Sequence, residues 1–228
     1  MPKDRLFKRR FIGMKILDLT HLIEPGMPVF PGTEPLEIIK ANTIEKDGFE
    51  EKILRMCSHT GTHIDAPAHL LRNGKTLDRY DAGHFFGKAF VIDSSGVAGG
   101  IIKKNSLEER ENEIREADYV LFYTGWSKYW GKDEYYDNFP CLDSDAAAYL
   151  ASFSLKGVGF DNISADPVED VNLTNHRIIL GKEMVIVENL INLDKLIDEG
   201  YFWFSCMPLK TINADGSPIR ATAIIGIL

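Results

Sequence analysis

The chain has 228 residues, of which 44% are hydrophobic and 26% charged, with a net charge of −8. A chain of this size can bury a substantial core without disulfides or a structural metal. Its acidic balance argues against nucleic acid as a partner, because phosphate binding needs a basic face. No run of 18 or more apolar residues occurs, so no transmembrane helix and no membrane partner are expected.

The first ten residues carry five basic side chains, and the segment that follows is interrupted by Lys15 and Asp18. It lacks the apolar stretch of a signal peptide. Residues 1–13 are expected to form a disordered N-terminal extension, and 14–228 a single domain. The three cysteines, Cys57, Cys141 and Cys206, are odd in number, far apart and without a CxxC spacing. That pattern suits reduced thiols and a cytoplasmic setting.

Residues 15–20 read as a short strand. Pro25, Gly26, Pro28, Pro31 and Gly32 then make a rigid loop with Phe30 in its middle. Two strands are expected at 36–44 and 49–57, joined by a turn at 46–48, the second covered on one face and partly on the other. Residues 72–86 read as a polar loop with short helical turns, and 89–93 as a strand. Ser106 and Glu109 have the spacing of a capping box, predicting a helix to about Ala117. A buried strand at 119–124 precedes a long loop rich in Trp and Tyr. A helix at 143–153, a strand at 157–161 and an acidic loop at 161–170 come next. Thr174 is read as the cap of a helical turn carrying His176, and residues 184–187 as a strand ending at Glu188. A short helix at 193–199 and strands at 201–209 and 220–228 close the chain, with 209–217 as a turn. Strands and helices are interspersed without strict alternation, so a mixed α/β fold is expected rather than a doubly wound parallel sheet.

The densest chemistry lies at 58–69, where His59, His63, Asp65 and His69 fall within eleven residues of a chain that has six histidines in all. Imidazole and carboxylate are the ligands that zinc, manganese and iron prefer. Gly61, the β-branched neighbours and Pro67 argue against a helix here. In an extended chain the four residues share one side. His63 and Asp65 can then reach one ion, whereas His59 would lie about 13 Å from His63 unless the chain bends at Gly61. A histidine-bearing surface loop is the competing reading. Glu188, ending an apolar run, and His176 could complete the shell, and two carboxylates with several histidines suit a two-metal hydrolase. Cys57 has a place near the cluster, although burial as a small apolar residue is the usual fate of a free cysteine. No HExxH, GxSxG, P-loop or GxGxxG motif occurs.

The run from His59 to His69 resembles the HxGTHxDxPxH signature of the cyclase family of metal-dependent hydrolases, which includes bacterial kynurenine formamidase and isatin hydrolase. Similar motifs lie at Pro28-Val29-Phe30-Pro31-Gly32, Thr124-Gly125-Trp126, Gly159-Phe160-Asp161 with Ser164 and Asp166, and Glu188-Asn189-Leu190. The resemblance implies a swivelling β/β/α domain assembled as a homodimer or homotetramer. It implies one or two divalent ions per subunit, zinc or manganese, held by His59, His63, Asp65, His176 and Glu188, with Asp65 bridging. His69 is implied as proton donor and acceptor. Phe30 stands where formamidases of kynurenine-type substrates carry tryptophan. With Trp126, it is expected to stack on an aromatic amide substrate. The expected reaction is hydrolysis of a carbon–nitrogen amide bond, with an aryl formamide such as N-formylkynurenine first in line. A cyclic amide or lactone is one alternative, and a non-catalytic metal- or ligand-binding member of the fold is the other.

Overall fold

A computed structural model describes residues 13–97 and 100–226. The expected N-terminal extension, apart from Gly13, lies outside the described residues. The chain begins with strand β1 (Lys15–Asp18). An antiparallel hairpin of β2 (Glu37–Asn42) and β3 (Glu51–Arg55) follows, joined through the helical turn α1 (Ile44–Asp47). Then come β4 (His63–Asp65), β5 (Phe86–Asp93), β6 (Ile101–Ile102), α2 (Lys104–Glu108), α3 (Glu111–Glu116) and β7 (Tyr119–Tyr123). The second half holds β8 (Cys141–Leu142), α4 (Ser144–Leu150), β9 (Gly157–Phe160), α5 (Thr174–Leu180), β10 (Val185–Glu188), β11 (Phe202–Ser205), β12 (Gly216–Pro218) and β13 (Thr222–Ile225).

Nine strands form one sheet in the order β1-β13-β11-β5-β7-β9-β10-β4-β12. Its centre, β5-β7-β9-β10, is parallel, and every pairing outside that centre is antiparallel. The expected mixed α/β class is therefore observed. The central strands read as nearly continuous apolar runs because both of their faces are covered. Alternation then sorts their side chains. Val91, Tyr119, Leu121, Val185 and Val187 enter one cluster with Phe202, Phe204 and Ala223. Phe90, Ile92, Val120, Phe122 and Ile186 enter another, with Leu107, Ile114, Ala146, Leu150 and Ile179 of α2 to α5. Helices thus cover one face, and the other is closed by strands and loops. In β9 the glycines are a packing requirement, since a Cβ at Gly157 would lie 2.6 Å from the Val185 carbonyl oxygen.

Several local expectations need correction. The expected buried face of β3 is absent, because all five of its residues are exposed. The hairpin stands off the main sheet as its own two-stranded unit. Its turn is one helical turn closed by Gly48 in the left-handed region (φ 81°). The capping box does not form. Lys103 occupies the N-cap of α2, and the Ser106 hydroxyl donates to the Lys103 carbonyl at 2.7 Å. The expected single helix is broken at Arg110, which lets both Leu107 and Ile114 reach the core. Leu173, in the left-handed region, precedes α5 in place of a Thr174 cap. The acidic loop at 161–170 is buried at two of its carboxylates, Asp161 and Asp166. The final strands are shorter than expected, and the expected turn at 209–217 ends in β12, which pairs with β4. In α4 the expected start holds, with Asp143 accepting from the Ala146 N–H at 2.7 Å.

Candidate metal centre and active site

Strand β4 carries the centre, flanked by β10 and β12. Glu188 of β10 is the register partner of His63, and Gly216 of β12 is the partner of Asp65. His63 and Asp65, two apart, point to one side of the strand. The bend expected at Gly61 is present, with φ at 65°. It folds His59 back so that its ring centroid lies 5.2 Å from that of His63. After β4, a 3-10 turn at Pro67–His69 brings the His69 ring to 3.9 Å from the His59 ring. Helix α5 supplies His176.

Distances within the cluster are short. His59 Nδ1 lies 2.6 Å from Asp65 Oδ1, and His63 Nε2 lies 3.3 Å from the same oxygen. His63 Nε2 is also 3.5 Å from Glu188 Oε2. His176 Nε2 is 3.2 Å from Glu188 Oε1 and 3.5 Å from Asp65 Oδ2. Donor atoms of His59, His63 and Asp65 all fall within 4.8 Å of one another, as do those of Asp65, His176 and Glu188. Asp65 belongs to both groups. All six residues expected to form the centre are therefore brought together, counting His69 at its edge.

Neighbouring groups fix the orientation of each ring. The carbonyl of Gly61 accepts from His63 Nδ1 at 2.8 Å, so the His63 Nε2 lone pair faces the carboxylates. Asn189 donates to the same carbonyl at 2.8 Å, and its own Oδ1 accepts from the buried Tyr135 hydroxyl at 2.7 Å. Asp166 accepts from His176 Nδ1 at 2.6 Å and from the backbone N–H groups of Asn175 and His176, which turns His176 Nε2 toward Asp65. Glu188 Oε1 accepts from the Ala165 N–H at 2.9 Å. Gly216 is required by space, since a Cβ there would lie 2.4 Å from the His59 ring.

The electrostatics fit a cation. Asp65 Oδ2 is buried and has no hydrogen-bond partner, an arrangement that is costly without positive charge nearby. Burial raises the pKa of Asp65, but the imidazoles of His59 and His63 outweigh it and hold the carboxyl well below its usual range. Burial lowers the pKa of His59, yet the Asp65 charge and hydrogen bond overcome it and raise the ring to about 9. His176 is likewise raised against burial, by the hydrogen bond its Nδ1 donates to Asp166 and by the carboxylates of Asp65 and Glu188 facing its Nε2. Carboxylates in this density draw positive charge. A divalent ion bound among them would supply it and would displace protons from the rings. The mixed imidazole and carboxylate donor set fits zinc or manganese. At His69, burial leads and the pKa is lowered.

A cavity of about 440 Å³ opens onto the cluster, within the usual range for small-molecule sites. Phe30, Val29, Ile163 and Leu173 line its apolar side. Trp126 does not reach it. Its indole N–H donates to the Tyr135 carbonyl at 3.2 Å, and it lines a separate cavity with Ser95 and Lys128, so the expected stacking on a substrate at this centre is corrected. Cys57 lines the cavity but joins none of the three potential metal groupings among the described residues. Asp215 was not foreseen. Its Oδ2 lies 3.1 Å from His59 Nε2 and 3.9 Å from His69 Nδ1. Asp215-Gly216 reads as a turn, and nothing in its spacing links it to histidines some 150 positions earlier.

The chain matches the model of the cyclase family, described as "Putative cyclase", over residues 17–167. It belongs to that family, and its class is that of a metal-dependent amidohydrolase. It is 30% identical over 208 residues to a kynurenine formamidase of Geobacillus thermodenitrificans, covering 90% of this chain and 95% of that one. It is 34% identical over 217 residues to an uncharacterized protein of Methanocaldococcus jannaschii, covering 93% of this chain and 100% of the other. Among solved structures, isatin hydrolase A from Ralstonia solanacearum superposes with a TM-score of 0.83 at 25% identity, covering 93% of this chain and 92% of that one.

Proposed function

We propose that the chain hydrolyses the carbon–nitrogen bond of an aryl formamide such as N-formylkynurenine, releasing formate and the aryl amine. His59, His63, Asp65, His176 and Glu188 would hold one or two divalent ions, zinc or manganese, with Asp65 shared. Such an ion, when bound, polarises the amide carbonyl and lowers the pKa of water toward neutrality. His69, which lines the cavity and groups with His59 and Asp215 rather than with Asp65 and Glu188, takes the proton of the attacking water and returns it to the leaving nitrogen. Phe30, Ile163 and Leu173 give the aromatic ring an apolar wall and exclude water around the reacting bond. Such a reaction belongs to tryptophan catabolism, and the three free cysteines accord with a cytoplasmic enzyme.

One observation carries the metal reading. Imidazoles and carboxylates from three separate segments, the run from His59 to Asp65, α5 and β10, converge on Asp65, whose inner oxygen is buried without a hydrogen-bond partner. Likeness to a kynurenine formamidase over 90% of this chain supports the substrate class. The test is hydrolysis of N-formylkynurenine by protein stripped of metal and reloaded separately with zinc and manganese. Metal-dependent release of formate is expected, and no release with either ion would remove this substrate.

Hydrolysis of a cyclic amide or lactone is the second reading. It is favoured by the likeness to isatin hydrolase A and by Phe30 at the position of a tryptophan. A panel of isatin and lactones beside the formamide separates the two.

The assembly is proposed to be a homodimer or homotetramer. Ile39, Phe49, Ile53 and Leu54 on the β2–β3 hairpin and Leu209 and Ile212 elsewhere are exposed, an apolar surface of the kind that protein contacts cover.

A further inference from the structure

We propose that Asp215 is a positioning residue for His69, accepting from Nδ1–H so that the Nε2 lone pair faces the cavity. The inference rests on the proton-carrying role given to His69 above. A ring that moves a proton must present the right nitrogen, and the partner of its other nitrogen sets which one that is. Among the described residues, no hydrogen bond fixes the His69 ring, and Asp215 is the only carboxylate within ion-pair distance of it, with 3.9 Å between Oδ2 and Nδ1. At that separation the pair is not yet a hydrogen bond. Contacts of this kind commonly tighten when substrate binds.

The backbone of Asp215 is well placed for such a role. Its carbonyl accepts from the Ala66 N–H at 2.8 Å, and the next residue, Gly216, lies in register opposite Asp65. The carboxylate is thereby tied to the same strand that carries the centre, one residue from its most buried acid. It also faces His59 Nε2 at 3.1 Å. A carboxylate has lone pairs enough for both rings. Its side chain is 47% exposed, so the fold does not depend on burying it. If Asp215 were merely a surface partner of His59, removing it would change little.

The test compares Asp215→Asn and Asp215→Glu with wild type by kcat and KM for N-formylkynurenine, by metal content, and by 15N NMR of the zinc-loaded protein. The His69 signals are assigned with His69→Gln. Asparagine keeps the shape and loses the charge. The proposal expects kcat to fall about 10–100-fold, as for other residues that orient a working imidazole, with KM and metal content within about twofold. It expects glutamate to recover part of the loss. It also expects wild-type His69 to carry its proton on Nδ1, and Asp215→Asn to lose that preference. Unchanged kcat, or a spectrum without the Nδ1 preference, would overturn it. So would a fall in metal content that parallels kcat, which would assign Asp215 to His59 instead. The spectrum requires no turnover. An enzyme inert toward the formamide would therefore count against the substrate reading, while the tautomer of His69 still decides the role of Asp215.

Discussion

Glu188 stands directly across from His63 in the antiparallel pair of β10 and β4, with its Oε2 3.5 Å from His63 Nε2. Register sets that meeting. A slip of one residue would turn His63 and Asp65 to the opposite face together. The two strands bring residues 125 positions apart into one donor set.

Metal should stabilise the fold as well as support activity. An ion at about 100 times its dissociation constant adds about 2.7 kcal/mol, which for a chain of this length is about 5–10 °C in Tm. Thermal unfolding before and after chelation measures it. Asp65→Asn should abolish the difference and most of the bound metal, as read by elemental analysis. His63→Ala should also lose metal, and retained metal would contradict the ligand assignment.

His69→Ala should separate chemistry from metal binding. Loss of a general acid–base group lowers kcat by about 10²–10⁴-fold, while metal content should stay near that of wild type. Turnover that persisted would remove His69 from the proton-transfer role.

Gly216→Ala tests the space reserved for His59. The new Cβ would lie 2.4 Å from the ring, and overpacking of this kind costs about 1–3 kcal/mol. His59 must move, so metal affinity should fall while the secondary structure measured by circular dichroism persists. Gly83→Ala, where nothing lies within 4 Å of the added atom, is the control and should bind metal normally.

Stability should rise with pH between about 4 and 6.5 through His21. Its ring is buried, stacked 3.8 Å from Trp130, and burial pushes its pKa down to about 4. In that window the unfolded chain binds the proton and the folded one does not. Its contribution is complete above the unfolded value and is lost as pH falls toward 4, on the order of 3 kcal/mol. His21→Phe keeps the stack and removes the titration. Urea unfolding across this range should show a flatter pH dependence for the variant, and identical profiles would exclude His21 as the source.

The exposed hairpin can be tested by mass. Ile39→Asp combined with Ile53→Asp places charge on a cross-strand pair of β2 and β3. Light scattering should give a multiple of 25.7 kDa for wild type and a smaller species for the variant. A wild-type mass of one chain at micromolar concentration would reject the proposed assembly.

The central strands could be recognised because burial on both faces demands long apolar runs, as at 119–123 and 185–187. The bend at Gly61 was also legible, since only a bend could bring His59 to its neighbours. Other features were hidden for definite reasons. The apolar residues of β3 read as a buried face, but among the described residues all five side chains of that strand are exposed and the hairpin pairs only within itself. Ser106 has the spacing of a cap, yet the core contacts of Leu107 and Ile114 set the helix boundaries instead. Trp126 resembles a substrate-stacking residue until its indole is found bonded to the Tyr135 carbonyl, in another cavity.

By itself the sequence determined the donor chemistry. His59, His63, Asp65 and His69 sit close enough along one segment that the backbone alone keeps them near each other. The tertiary structure decided which distant groups meet them. His176 and Glu188 arrive through α5 and β10. Asp166 orients one ring, and Asp215 arrives in the bend just before a strand whose Gly-Ser-Pro sequence has no strand signature. Pairing across a sheet depends on register and on the path of the whole chain, and that information is spread over every residue that packs the core.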